Sequence, residues 1–139
     1  MQIRRFGPAD EQAVIGLWER SNLVRSWNDP AKDIARKLSV QPELFLVGVV
    51  DGRIVASIMA GYEGHRGWVN YLAVDPAHRR RGYARTLMQH VEAALTAMGC
   101  PKLNMQVRAT NLDVLKFYQR LGYAQDEAIN LGKRLIPDE

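Results

Sequence analysis

A single cysteine, Cys100, in 139 residues excludes an internal disulfide and leaves no cysteine cluster to hold zinc. The three histidines, His65, His78 and His90, share no ligand spacing on one element, so no metal is expected. No run approaches the roughly 20 apolar residues of a membrane span. Met1 opens directly into Gln2-Ile3-Arg4-Arg5, without the apolar core of a secretory signal. These absences predict a cytoplasmic chain with no membrane role. There is also no internal repeat, low-complexity tract or linker, and the length fits one domain over residues 1–139.

What is present is an ordinary apolar fraction, 47%, with a net charge of +4. The distribution of that charge says more than its sum. His78-Arg79-Arg80-Arg81, followed by Arg85, is the densest basic run and favours an anionic partner. A phosphate-rich small ligand and a nucleic acid are both open at this point. Nucleic acid fits less well, because the cations cluster at one loop instead of following an aromatic-studded strand face.

The pattern of elements sets that run in a frame. Ile3 to Phe6 reads as a strand, and Pro8 with Asp10 starts a helix whose Val14, Leu17 and Trp18 share a face. Asn28-Asp29-Pro30 supplies an N-cap and a first-turn proline for a second helix carrying Ile34 and Leu38. Leu44 to Val50 and Ile54 to Tyr62 are strands joined by the hairpin turn Asp51-Gly52. Gly64-His65-Arg66-Gly67 turns the chain into a strand from Trp68 to Val74. A long helix follows, its apolar residues from Ala84 to Met98 at i, i+3, i+4, i+7 spacing, and ends at Gly99. Leu103 to Val107 is a strand, Asn111 to Leu121 a helix stopped by Gly122, and Ala128 to Leu135 a last strand. Hairpins first and a strand-helix-strand crossover later predict an α/β (α+β) fold, a mixed sheet with helices on its faces.

The passage Leu72-Ala73-Val74-Asp75-Pro76-Ala77-His78-Arg79-Arg80-Arg81-Gly82-Tyr83-Ala84-Arg85 carries a strand through a basic loop into that long helix. First-turn N–H groups have no partners within a helix and stand at the positive end of its dipole, so they stabilise phosphate oxygens. Gly82 permits close backbone approach. Here the chain resembles the GNAT superfamily of N-acetyltransferases: Arg79-x-x-Gly82-x-Ala84 matches its pyrophosphate-loop motif. Asn111-Leu112-Asp113-Val114-Leu115-Lys116-Phe117-Tyr118 through Gly122-Tyr123 is similar to the family's late helix, with Val114 where alanine is usual and Tyr123 where phenylalanine is usual. Trp27-Asn28-Asp29-Pro30 and Tyr62-Glu63-Gly64-His65-Arg66-Gly67 resemble the small bacterial YpeA-type group.

The resemblance implies a GNAT fold, a mixed and mostly antiparallel twisted sheet with the cofactor at the splay between strands 4 and 5. It implies acetyl-CoA as acyl donor, with the backbone of Leu72, Ala73 and Val74 along its pantetheine arm. Arg80, Arg81, Gly82, Tyr83, Ala84 and Arg85 would wrap its pyrophosphate, with Arg79 either contacting phosphate or bracing the loop. Asn111 falls at the family's position near the arm, and is equally a helix N-cap. Tyr118 matches the tyrosine that protonates the departing thiolate, against a packing role beside Phe117. The implied partner is an amine acceptor, a small molecule or a protein N-terminus, attacking the thioester directly; a homodimer is compatible.

An alkyl ammonium has a pKa of roughly 10, so its deprotonation needs a base, a water chain or a desolvating pocket. Some relatives carry a glutamate base on the strand before Asn111, where this chain has Gln106. Glu63 is the leading substitute and is equally a solvated hairpin charge. His65 is a further candidate and is equally a cap for its turn, while Asn70 or Tyr71 could order a proton-carrying water, with Tyr71 otherwise facing the core. Trp27, Asn28 and Asp29 stand where an acceptor wall is expected. The competing reading is a catalytically weak module that binds or senses acyl-CoA.

Overall fold

The computed structural model describes residues 1–138. It divides into two compact units, Met1–Met105 together with Asp138, and Gln106–Pro137.

The larger unit holds β1 (Gln2–Arg5), α1 (Glu11–Arg20), α2 (Pro30–Leu38), β2 (Phe45–Val50), β3 (Arg53–Tyr62), β4 (Gly67–Val74), α3 (Tyr83–Ala97) and β5 (Leu103–Met105). Its five strands lie side by side in chain order. β1 to β4 pair antiparallel, and β5 joins β4 in parallel after the α3 crossover. Asp51 and Gly52 both have positive φ, 51° and 75°, as the two central residues of a type I′ turn require. α2 starts as its sequence dictates, with Pro30 in the first turn and the Asp29 carboxylate accepting from the Lys32 N–H at 3.1 Å.

The core forms because both faces of the sheet are covered. Phe6, Val14, Leu17, Trp18, Ile34, Phe45, Val47, Met59 and Ala73 make one buried cluster, with α1 and α2 laid on the sheet. α3 packs on β3 and β4 through Leu87, Met88, Val91 and Leu95. β3 is accordingly buried at six successive positions, Val55 to Ala60, the pattern of a strand with helices on both sides. The one buried polar side chain in that run, Ser57, is satisfied on both counts: its hydroxyl accepts from Trp18 Nε1 at 2.8 Å and donates to the Tyr71 carbonyl at 3.0 Å.

Two irregularities shape β4. Ser57 pairs with Ala73 but Met59 pairs with Asn70, so Ile58 faces both Tyr71 and Leu72 and β4 carries a bulge. Tyr71 holds φ at 52° there, a left-handed conformation unusual for an aromatic residue. β5 meets β4 only from Gly67 to Val69, ending at Met105 instead of the expected Val107. From Asn70 to Val74, no strand pairs with β4 on that side among the described residues.

The smaller unit is built on α4 (Leu112–Arg120). Asn111 caps it by accepting from the Val114 N–H at 3.4 Å, and Gly122 closes it at φ 95°. The strand expected over Ala128 to Leu135 does not form: 124–137 contains no helix or strand. A strand exists only through a neighbour's ladder, and Ile129, Leu131 and Leu135 here lie 87%, 90% and 84% exposed. No described helix is long and apolar enough to cross a membrane.

Candidate functional site

The site residues on β4 and α3 form one continuous strand, loop and helix. Leu72, Ala73 and Val74 occupy the stretch of β4 that β5 leaves unpaired. The loop after it is pinned at its start by Asp75, whose N–H donates to the Val55 carbonyl at 2.8 Å. The Asp75 carboxylate accepts from the Ala77 N–H at 3.0 Å and from Arg20 Nη2 at 2.9 Å. The Ala77 bond, then Arg20, holds this carboxyl below its usual range despite some desolvation.

The chain then turns through two left-handed residues, Arg80 at φ 63° and Gly82 at φ 79°. A side-chain carbon added to Gly82 would meet nothing within 4 Å, so the loop faces open space. α3 begins directly behind it, with Thr86 N–H and Oγ1 both bonding the Gly82 carbonyl, at 3.0 and 2.9 Å. No side chain caps the helix, and its first turn holds no acidic residue. Arg79, Arg80, Arg81 and Arg85 are exposed around this start, while Tyr83 and Ala84 are half-buried. A cradle of backbone N–H groups, ringed by cations and open above a glycine, has the chemistry to receive a pyrophosphate. An unpaired strand edge has the chemistry to bond an amide-bearing arm. The residues present therefore fit acetyl-CoA.

The bulge sends the Tyr71 ring onto Trp18, stacked at 3.8 Å between centroids. Its hydroxyl donates to Asp33 Oδ2 and accepts from Asn28 Nδ2, both at 2.6 Å. Burial first, then Asp33, pushes the phenol far above its ordinary value. Asn28 is held in turn by the Arg25 N–H at 2.9 Å, and Trp27 beside it is half exposed. Asn28 is thus joined to Tyr71 at the bulge, with Trp27 and Asp29 its neighbours in the chain. Asp33 and Ser57 completed this network without any sequence signal, because a helix-surface aspartate and a strand serine are common everywhere.

Glu63 lies in the turn that enters β4. Its Oε1 accepts from the backbone N–H groups of His65, at 2.7 Å, and Arg66, closing the turn before β4. These two bonds, the Arg66 one foremost, lower its pKa, and the carboxylate is exposed. The eight residues of β4 separate this turn from the Arg79–Gly82 loop, on the order of 25 Å at strand rise.

Asn111 and Tyr118 belong to the Gln106–Pro137 unit. Tyr118 is buried, with Phe117 and Tyr123 edge-on at 5.1 and 5.7 Å. Burial pushes its phenol up to about 12, so it is protonated across the physiological range. Among the described residues no group of three or more His, Cys, Asp or Glu converges as metal ligands would.

A mixed sheet with an open strand edge leading into a glycine-turned, basic helix start defines an α/β protein built to receive an extended, anionic ligand. Residues 12–123 match the model of the acetyltransferase (GNAT) family, and the chain belongs to that family. It is 52% identical over its full length to an acetyltransferase of Yersinia pestis, covering 99% of that protein. Over 99% of the chain it is 51% identical to an acetyltransferase of Pectobacterium atrosepticum, covering 98% of it. Among solved structures it is similar to Ard1 from Thermoplasma volcanium, with TM-score 0.80 and 25% identity over 88% of this chain and 82% of that one. The ribosomal-protein-S18-alanine N-acetyltransferase of Escherichia coli shares the fold, with TM-score 0.73 and 24% identity over 87% and 76%. The protein is thus an N-acetyltransferase of the GNAT family.

Proposed function

We propose that this enzyme transfers the acetyl group of acetyl-CoA to a primary amine in a ternary complex. The observation that carries this reading is the open edge of β4 from Asn70 to Val74, continuing into the uncapped start of α3 behind Gly82. Acetyl-CoA supplies an activated thioester. The ammonium passes its proton to solvent along a water path by Asn70, Tyr71 or His65, and the neutral amine attacks the carbonyl as the thiolate leaves.

In this reading the backbone of Leu72, Ala73 and Val74 aligns the pantetheine arm, and an N–H beside the bulge supports the developing oxyanion. Arg79, Arg80, Arg81 and Arg85, with the amides of Gly82, Tyr83 and Ala84, neutralise the pyrophosphate. Asn111 has its helix-cap role and borders the arm. Tyr118 returns a proton to the thiolate, a task that suits a phenol still protonated at neutral pH. Glu63 serves the hairpin, since its carboxylate is already committed to two amides. The whole chain, 1–139, acts as one cytoplasmic catalytic domain with no metal.

A screen of mixed amines with acetyl-CoA, read by thiol release and mass spectrometry, tests this directly. Tyr118→Phe should then lower turnover with the identified acceptor by about 100-fold, the typical scale of general acid catalysis, while cofactor affinity holds. Wild-type turnover in that variant removes Tyr118 from the chemistry. Binding of acetyl-CoA without transfer to any amine would leave the sensing module as the better account.

A further inference from the structure

One carboxylate in the larger unit is held as a bound anion would be. Asp138 arrives on a segment without helix or strand, and its side chain is only 1% exposed. Arg36 grips it with both terminal nitrogens, Nη2 to Oδ1 at 2.7 Å and Nη1 to Oδ2 at 3.0 Å. The Asp29 backbone N–H at the start of α2 adds a bond, and the Lys32 charge adds attraction. Exposed single ion pairs contribute little, but a guanidinium fork plus a helix-start amide is a shape matched to carboxylates in general.

The same guanidinium reaches the Tyr71 network. Arg36 Nη1 also lies 3.3 Å from Asp33 Oδ1, so one nitrogen bridges the two carboxylates. Asp33 Oδ2 accepts from the hydroxyl of Tyr71, which lies within the open stretch of β4. That hydroxyl has spent its donor on Asp33 and accepts from Asn28, which leaves Asp33 as the group with charge to offer a cation. The result is a cation site for a carboxylate beside an anion site for an ammonium, on successive turns of α2.

We propose that Arg36 and Asp33 recognise a zwitterionic acceptor, a free amino acid, with Asp138 as the chain's own occupant of the carboxylate position. This rests on the amine-acetyltransferase reading above and narrows its acceptor. The acceptor's carboxylate displaces Asp138 from Arg36, and its ammonium meets Asp33 beside the bulge. Tyr71 and Asn28 are positioning residues, holding the Asp33 carboxylate in place.

The test uses the full-length chain and matched acceptors: phenylalanine against phenethylamine, and arginine against agmatine. Asp138→Asn empties the fork of its charged competitor and should raise the kcat/KM ratio of acid over amine about threefold to tenfold. Arg36→Gln should drop that ratio at least about tenfold, the scale of a charge-assisted bond. Calorimetric titration with N-acetylphenylalanine gives a readout independent of turnover. Asp138→Asn should bind it more tightly than wild type, and the Arg36→Gln/Asp138→Asn double variant should not bind it. Unchanged ratios, or equal titration of wild type and both variants, would overturn the proposal and leave Asp138 as a structural clasp. Absence of thiol release with every amine would sink the underlying reaction, while the titration still decides the carboxylate site.

Discussion

Two glycine-containing turns flank β4, and they are finished in opposite ways. The turn that enters the strand, Glu63 to Gly67, fills its own amides with the Glu63 carboxylate. The loop that leaves it, Arg79 to Gly82, offers three cations, two left-handed residues and an uncapped helix start, with no acidic side chain in the first turn. A balanced charge set and an all-cationic one therefore suit opposite tasks. A turn with its own anion is complete as folded, whereas one built of donors alone is electrostatically incomplete until an anion arrives.

The contrast breaks most visibly at Gly82. Gly82→Val has room for its side chain but strains a backbone held at φ 79°. Restoring that conformation on binding costs on the order of 1–3 kcal/mol, so the acetyl-CoA dissociation constant should rise roughly tenfold to a hundredfold. An unchanged constant by calorimetry would take Gly82 out of the site.

A smaller effect is expected from Arg80→Gln/Arg81→Gln. Loss of two exposed cations should weaken acetyl-CoA about threefold to tenfold and flatten the dependence of affinity on salt. A wild-type affinity indifferent to salt would show that these arginines only solvate the loop.

The entering turn should matter least to catalysis. Glu63→Gln is expected to keep turnover within about twofold, as for a surface substitution, while speeding amide exchange at His65 and Arg66. A large turnover loss, rescued at high pH, would restore Glu63 as the base. Acid provides the companion experiment in the wild-type protein. Because the folded-state pKa of Glu63 is lowered, its cap is present above the ordinary glutamate range and is lost as pH falls through the lowered value. Protection of the His65 and Arg66 amides should follow that titration by NMR, and protection that ignores pH would show the turn stands without its carboxylate.

Much of this layout is legible in local residue chemistry. Asp51-Gly52 demanded a left-handed two-residue turn, Asn28-Asp29-Pro30 a capped helix start, and the 3.6-residue spacing after Gly82 a long amphipathic helix. Asn111 and Asp29 cap their helices because a short polar side chain at such a position bonds the next turn. The strand expected over Ala128 to Leu135 misled for the complementary reason. Local residue types can suggest a strand, but not whether another strand is there to pair with it.

The sequence by itself determined nine of the ten expected elements with their order, and the placing of a basic glycine loop before a helix, since each depends on neighbours within a few residues. Only the tertiary structure decided where β5 stops along β4, which residue forms the bulge, and which carboxylates meet. Asp33 lies 38 residues from Tyr71, and Asp138 lies 102 from Arg36. Their partnership depends on sheet register and helix packing across the chain, and side-chain periodicity carries no record of either.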